Sequence, residues 1–287
     1  MEGLIIKALS GFYYVETEEG IIECKARGRF RNSGTSPLVG DRVEVILEGN
    51  KGVVDNISQR RNFLNRPPVA NIDKMFIVIA PSPKPDFALV DKIIIYCHLH
   101  DIQPIIVVNK NDLDNNKLAQ EVEEYYRGAY QVISISAKTA RLSELESEID
   151  GICVLAGQSA VGKSSLINAL FKKEDIASVG ELSKKIERGK QTTRMVNLYK
   201  VKEGAYIADT AGFSLLDFTI VVKMDAKDLS LYYPDFLQGR ANCKFRSCTH
   251  EGGDCGVAKL VYDGVINKKR YENYLKILKE VKCGQRH

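Results

Sequence analysis

Over the first sixty residues apolar positions come in short runs with polar residues between them, and a turn signal closes nearly every run. The pattern predicts five strands, at 4–9, 12–15, 21–26, 41–47 and 52–57, and five short strands suggest a small barrel of the OB type. The stretch 62–70, with Pro67 and Pro68, reads as too rigid and polar to continue a strand or start a helix, and a domain boundary is set there. Beyond it the period changes. Apolar strands at 75–80, 105–108, 132–135, 152–156 and 205–208 are interleaved with helical patterns at 86–100, 113–127, 142–150 and 163–170, which predicts a mostly parallel sheet with helices on both faces. A last amphipathic helix is predicted at 267–282, with Tyr271, Tyr274, Leu275, Leu278 and Val281 on one face and Lys268, Lys269, Arg270, Lys276 and Lys279 elsewhere.

Composition sharpens this. The chain has 287 residues, 44% hydrophobic and 27% charged, which suits a soluble protein of two or three domains. No apolar run approaches the roughly 20 residues needed to span a bilayer, and the first residues lack a signal-peptide layout, so a cytoplasmic protein is expected. The net charge of +4 is uneven: residues 221–287 carry 13 Lys/Arg against 8 Asp/Glu, which suits a polyanionic partner or simply a solvated face. In the barrel, Lys25, Arg27, Arg29 and Arg31 beside Phe30 read equally well as nucleic-acid-binding tips or as an ordinary exposed hairpin. His98 and His100 have no partner at metal spacing and read as surface or packing residues.

The candidate chemistry centres on residues 157–164, GQSAVGKS, between a predicted strand and a predicted helix. This is the G-x-x-x-x-G-K-[ST] pattern of a P-loop: Gly157, Gln158, Ser159, Ala160, Val161 and Gly162 curl backbone N–H groups around phosphates, Lys163 reaches the β/γ-phosphates, Ser164 ligates magnesium, and Ser165 follows on the helix. Asn109-Lys110-Asn111-Asp112 follows a buried strand and fits N-K-x-D. There the Asp112 carboxylate accepts two hydrogen bonds that guanine offers and adenine does not, Lys110 lies over the base and Asn109 ties the loop together. Ser136-Ala137-Lys138 ends the next strand, at the place of the S-A-K loop that contacts guanine O6. Asp209-Thr210-Ala211-Gly212 fits D-x-x-G, with Asp209 reaching magnesium through water and Gly212 sensing the γ-phosphate, and Gln191-Thr192-Thr193 lies in a long polar loop that is a candidate switch.

The base-reading motifs precede the P-loop here, whereas ordinary GTPases place them last. The order predicts a circularly permuted GTPase domain. Cys243-x4-Cys248-x-His250-x4-Cys255 supplies three thiols and an imidazole in one loop, enough for one closed, structural zinc site. The seven cysteines are an odd number, and three of them fall in this loop, which speaks against a disulfide framework.

Barrel, permuted GTPase and Cys3His segment in this order resemble the ribosome small-subunit-dependent GTPase A family across nearly the whole chain. Family-like stretches are PLVGDRV (37–43), NRPP (65–68), the P-loop, RGKQTTR (188–194) and CKFRSC (243–248). The resemblance implies a multidomain α/β protein: an OB-fold RNA-binding barrel at 1–67, a circularly permuted GTPase domain at 68–220, and a zinc-binding domain with a C-terminal helix at 221–287. It implies a late assembly factor that binds the small ribosomal subunit and its rRNA as the GTP form, hydrolyses GTP to GDP under subunit stimulation and leaves. Four positions depart from the family pattern: Ala160 where Gly is usual, Ala211 where Pro is usual, one residue fewer between His250 and Cys255, and Gln191 where a histidine implicated in hydrolysis is usual. Phe213 stands where many GTPases carry a water-orienting glutamine, so Gln191 is the candidate for that role. An alternative is a guanine-nucleotide-controlled rRNA-binding module with little or no turnover. No heptad or other oligomer signature is present, and a monomer is expected.

Overall fold

The computed structural model describes residues 1–32, 36–49, 51–65, 67–139, 142–171, 196–210, 221 and 223–284. Strands β1 (Glu2–Leu9), β2 (Phe12–Thr17), β3 (Gly20–Ala26), β4 (Arg42–Glu48) and β5 (Lys51–Ile57) follow the predicted runs closely. They pair in the order β1-β2-β3-β5-β4, with β4 returning to β1, so the sheet closes into an OB-like barrel. The β3–β5 pair is parallel and the others are antiparallel. Alternate residues point inward, and Ile5, Val15, Cys24, Val43, Val45 and Val54 are buried in its core.

Two readings of the barrel change. Phe30 is a core residue, in a single helical turn at Arg29–Asn32, so its ring is not an exposed neighbour of the cations. Arg27 and Arg29 are both spent on Asp55, with Arg27 Nε 2.7 Å from its carboxylate. The stretch 62–70 does form strands. β6 (Phe63–Asn65) and β7 (Pro68–Ala70) make a two-stranded ribbon in which Leu64, Val69 and Ala70 are buried. Pro68 opens the second strand of the ribbon, ahead of the Val69–Val39 bridge, so its missing N–H removes no interior ladder bond.

The connection to the next sheet is firmly tied. Asn62 is buried, and its side chain both donates to Ile72 O at 2.9 Å and accepts from Ile72 N–H at 2.8 Å. Asp73 accepts from Arg61 at 2.7 Å and from the Ile152 N–H at 2.7 Å, joining the linker to the sheet.

That sheet comprises β8 (Lys74–Ile79), β9 (Gln103–Val108), β10 (Val132–Ser134), β11 (Gly151–Ala156), β12 (Val196–Lys202) and β13 (Ala205–Thr210). Its order is β10-β9-β8-β11-β13-β12, parallel except for β12 at the edge. Helices α1 (Phe87–Leu99) and α2 (Lys117–Tyr126) cover one face, and α3 (Ser143–Glu148) and α4 (Lys163–Phe171) cover the other. Strand alternation divides the core accordingly: Met75, Ile77 and Ile79 pack toward α1 and α2, while Phe76 and Val78 pack toward α3 and α4. β12, a strand that periodicity did not single out, pairs with β13 and also meets β1 at Lys7↔Asn197. The barrel and the parallel sheet are thereby one continuous 11-stranded sheet.

The C-terminal segment is helical: α5 (Leu237–Ala241), α6 (Gly256–Tyr262) and α7 (Lys268–Gly284). The predicted apolar face of α7 holds, with Tyr274, Leu278 and Val281 buried. Arg270, read as part of the basic remainder of this helix, is instead completely buried, at 1% exposure. No helix among the described residues is long and apolar enough to cross a membrane.

Candidate functional site

At the end of β11 the chain turns through residues 157–162 and enters α4 at Lys163. Gly157 has φ +130°, and a Cβ there would lie 2.1 Å from the Val78 carbonyl oxygen. Gly162 has φ +100°, and a Cβ there would lie 2.4 Å from Asn109 Nδ2. Both glycines are therefore demanded twice, by backbone angle and by close approach. Ala160 adopts the left-handed region, φ +65°, where the family's usual glycine is at ease and an alanine carries a cost of about 1–2 kcal/mol. Its carbonyl oxygen accepts a hydrogen bond from Lys110 Nζ at 2.7 Å.

Lys163 turns its ammonium back onto the loop, donating to Gly157 O and Gln158 O at 2.8 Å each. Burial holds its pKa below the usual lysine range. A desolvated cation with only neutral carbonyls as partners gains strongly when a dianionic group arrives. Ser159, Ser164 and Ser165 are exposed at the mouth of the loop, and Val161 is buried beneath it.

Asn109, Lys110 and Asp112 stand at the carboxyl end of β9, and Ser136, Ala137 and Lys138 follow β10. Asn109 is buried; it donates from Nδ2 to the Val161 carbonyl at 2.9 Å and accepts from the Ala137 N–H at 3.1 Å. One side chain thus fastens the phosphate loop to both base-reading loops. The Ser136 hydroxyl donates to Asp112 Oδ1 at 2.6 Å and is the main cause holding that exposed carboxyl below the usual range. A cavity of about 610 Å³ opens between these groups, lined by Asn109, Lys110, Asp112, Ala137, Gly162 and Ser165 among others. A larger cleft of about 800 Å³ lies between the barrel and the opposite end of the parallel strands, but none of the motif residues line it. Two pairs of its charged side chains satisfy one another, Lys200 with Glu16 and Arg61 with Asp73.

The cysteines and histidine of the C-terminal loop converge. The ligand atoms of Cys243, Cys248, His250 and Cys255 all lie within 4.8 Å of one another. His250 Nδ1 is 3.4 Å from the sulfurs of both Cys243 and Cys255, which are 3.8 Å apart. A tetrahedron with metal–sulfur bonds of about 2.3 Å and metal–nitrogen bonds of about 2.0–2.1 Å has edges of about 3.6–3.8 Å, so the set fits one ion. His250 itself has φ +61°, and Gly252 and Gly253 also have positive φ, which lets the shortened loop close on itself. Burial, with Arg240 nearby, pushes the His250 pKa down to about 4, keeping the ring neutral as a ligand must be. From α7, Tyr274 donates to Thr249 O at 2.9 Å and Tyr271 donates to His250 O, so the apolar face of that helix also holds the loop.

Gln191, Thr192, Thr193, Ala211, Gly212 and Phe213 lie outside the described residues. Asp209 is placed by its backbone on β13, opposite Asn197 of β12. Sequence reasoning missed the loop before α1. There Ser82 O accepts from Lys110 Nζ at 2.8 Å, and the Asp86 N–H donates to Gln158 Oε1 at 3.3 Å. Backbone groups make these contacts, and backbone groups carry no sequence signal.

Residues 57–219 match the model of the RsgA GTPase family, and residues 2–54 match that of the RsgA N-terminal domain. The chain belongs to the RsgA GTPase family. As an RsgA GTPase it is a GTP hydrolase, with its guanine motifs in permuted order on the sheet described above. A relative from Clostridium botulinum (strain Eklund 17B / Type B), called small ribosomal subunit biogenesis GTPase RsgA, is 42% identical over 100% of this chain and 99% of its own length. One of the same name from Shouchella clausii (strain KSM-K16) is 41% identical, over 99% of each chain. Among solved structures, YjeQ from Thermotoga maritima superposes with a TM-score of 0.80 at 34% identity, covering 98% of both chains. YloQ, described as a circularly permuted GTPase, gives 0.78 at 35% identity, covering 98% of this chain and 95% of its own.

Asp112 is exposed and bonded only at one oxygen, so replacing it should spare the fold and spoil base reading. Asp112→Asn is expected to weaken GDP binding about 100-fold or more, the worth of two charge-assisted hydrogen bonds. A fluorescence titration with labelled GDP measures this, and an affinity within about threefold of the unmodified protein would contradict it.

Proposed function

We propose that this chain acts in maturation of the small ribosomal subunit, binding it as the GTP form, hydrolysing GTP under its stimulation, and leaving as the GDP form. The enzymatic half rests on the pocket in which Asn109 holds the phosphate loop against both base-reading loops. The names of the full-length relatives supply the partner. In this reading the chain divides at 67/68 and 220/221, the barrel meets rRNA, and the protein works as a cytoplasmic monomer.

Each residue then has a task. Asp112, kept ionised by Ser136, accepts from the guanine edge, while Lys110 lies along the base and the loop of Ser136, Ala137 and Lys138, held in place by Asn109, lies beside O6. Gly157 through Gly162 offer N–H groups to the phosphates. Lys163 exchanges two carbonyl partners for the β/γ-phosphates, and its lowered pKa returns toward the ordinary value as it does so. Ser164, Asp209 and one of Thr192 and Thr193 would hold a magnesium ion, which would offset charge developing on the phosphates. Gly212 reports the γ-phosphate, and Gln191 orients the attacking water. Cys243, Cys248, His250 and Cys255 would hold a structural zinc ion, which would brace their loop against the buried Phe236 and Tyr274.

Phosphate release from GTP, measured with and without purified small subunits, is expected to rise at least about tenfold with subunits and to fall back to the unstimulated rate in Gln191→Ala. No release with subunits present would instead support a nucleotide-controlled binding module, and an unchanged rate in Gln191→Ala would remove that residue from the mechanism. Metal analysis of the purified protein is expected to give about one zinc per chain, lost in Cys248→Ser. Zinc-free protein with an undiminished thermal midpoint would refute the metal assignment.

A further inference from the structure

Away from the nucleotide cavity, one fully buried charge joins three parts of the chain. Arg270, on α7, donates from Nη1 to Asp91 Oδ1 at 2.7 Å. It also grips Asp235 with two bonds, at 2.7 and 2.9 Å. Its guanidinium lies 4.8 Å from the ring of Tyr126 and 4.5 Å from that of Tyr233. Asp91, itself only 1% exposed, is further held by the hydroxyls of Tyr125 and Tyr126, which donate to it at 2.9 Å each. Asn273 of α7 donates to the Tyr125 hydroxyl at 2.7 Å. Burial lifts the Asp91 carboxyl to about 6, with Arg270 and the two tyrosine hydroxyls limiting the rise.

Asp91 sits on α1. Five residues earlier, about 7.5 Å along the helix axis, Asp86 caps the same helix by accepting from Ala88 and Leu89 N–H. The Asp86 N–H in turn donates to the side chain of Gln158, the second residue of the phosphate loop. A short rigid helix is therefore tied to the phosphate loop at its start and to the C-terminal segment in its second turn. The Gln158 carbonyl is one of the two oxygens that Lys163 must leave when a phosphate enters, so the tie ends on the part of the loop that binding rearranges.

We propose that Arg270 is a positioning residue for nucleotide binding: through Asp91 and α1 it sets the conformation of the phosphate loop at Gln158, and the bound nucleotide in turn stiffens α7. The inference rests on the nucleotide-binding reading above. Coupling of this kind is reciprocal, so it is testable from both ends.

The test is a cycle of Gln158→Ala, Arg270→Met and the double variant, read as the dissociation constant of labelled GDP. Thermal midpoint and zinc content report the fold. Arg270→Met keeps bulk between the two rings and is expected to weaken GDP binding by about three- to tenfold, within the range of measured couplings. In the Gln158→Ala background the same change should cost less than about 1.5-fold. Equal losses in both backgrounds, or no loss in either, would overturn the proposal. If Arg270→Met does not fold, Asp235→Asn replaces it in the cycle with the same criteria. A second readout needs no substitution: hydrogen exchange of the α7 amides should slow when GDP is added, and unchanged exchange would also overturn it. An unmodified protein that binds no GDP would sink the nucleotide reading itself, whereas GDP binding with an additive cycle sinks only this inference.

Discussion

The buried carboxamide of Asn109 is the point on which the nucleotide pocket depends. It donates to one loop and accepts from another, and both partners are main-chain groups. Removing it leaves a buried carbonyl unpaired, at about 1–3 kcal/mol, and a partly buried N–H as well. The same side chain forbids a Cβ at Gly162, and the end of β8 forbids one at Gly157. The phosphate loop is thus held from two strands at once. Permutation leaves this unchanged, because the contacts are made in space between strand ends and do not depend on the order in which the chain visits them.

The outer parts of the molecule attach to this centre by different physics. The barrel joins through backbone: β1 pairs with β12, making one sheet, and the linker is pinned by Asn62 and Asp73. The C-terminal segment joins through side chains, an apolar face of α7 laid on α1 with Arg270 buried in its midst. Its Cys3His cluster lies beyond that contact, with Tyr271 and Tyr274 reaching from the helix to the loop that carries it.

Much of the site was legible in the sequence because P-loop, N-K-x-D, S-A-K and the cysteine loop are local patterns, and local patterns fold into local shapes. Strands with strict alternation were equally plain. What stayed hidden was long-range. Arg270 is a cation on a lysine-rich helix, and Asp91, 179 positions away, together with Asp235 turns it into a core residue. Phe30 among arginines looked exposed until the barrel closed over it. Pro67 and Pro68 masked a ribbon whose buried face is only Leu64, Val69 and Ala70. β12, with Lys200 and Lys202 in it, reads as polar because only Val196 and Leu198 of its residues are buried and its second half is partly or fully exposed.

The central claim is that a guanine nucleotide binds in a pocket organised around Asn109. Calorimetric titration of GDP and ADP into the unmodified chain and into Asn109→Ala tests it most directly. The account predicts one GDP per chain, ADP weaker by at least about 100-fold, and a loss of at least about 100-fold for GDP in the variant, in keeping with two severed hydrogen bonds that hold the pocket together. Equal binding of GDP and ADP, or an Asn109→Ala variant that binds GDP as the unmodified protein does, would contradict it.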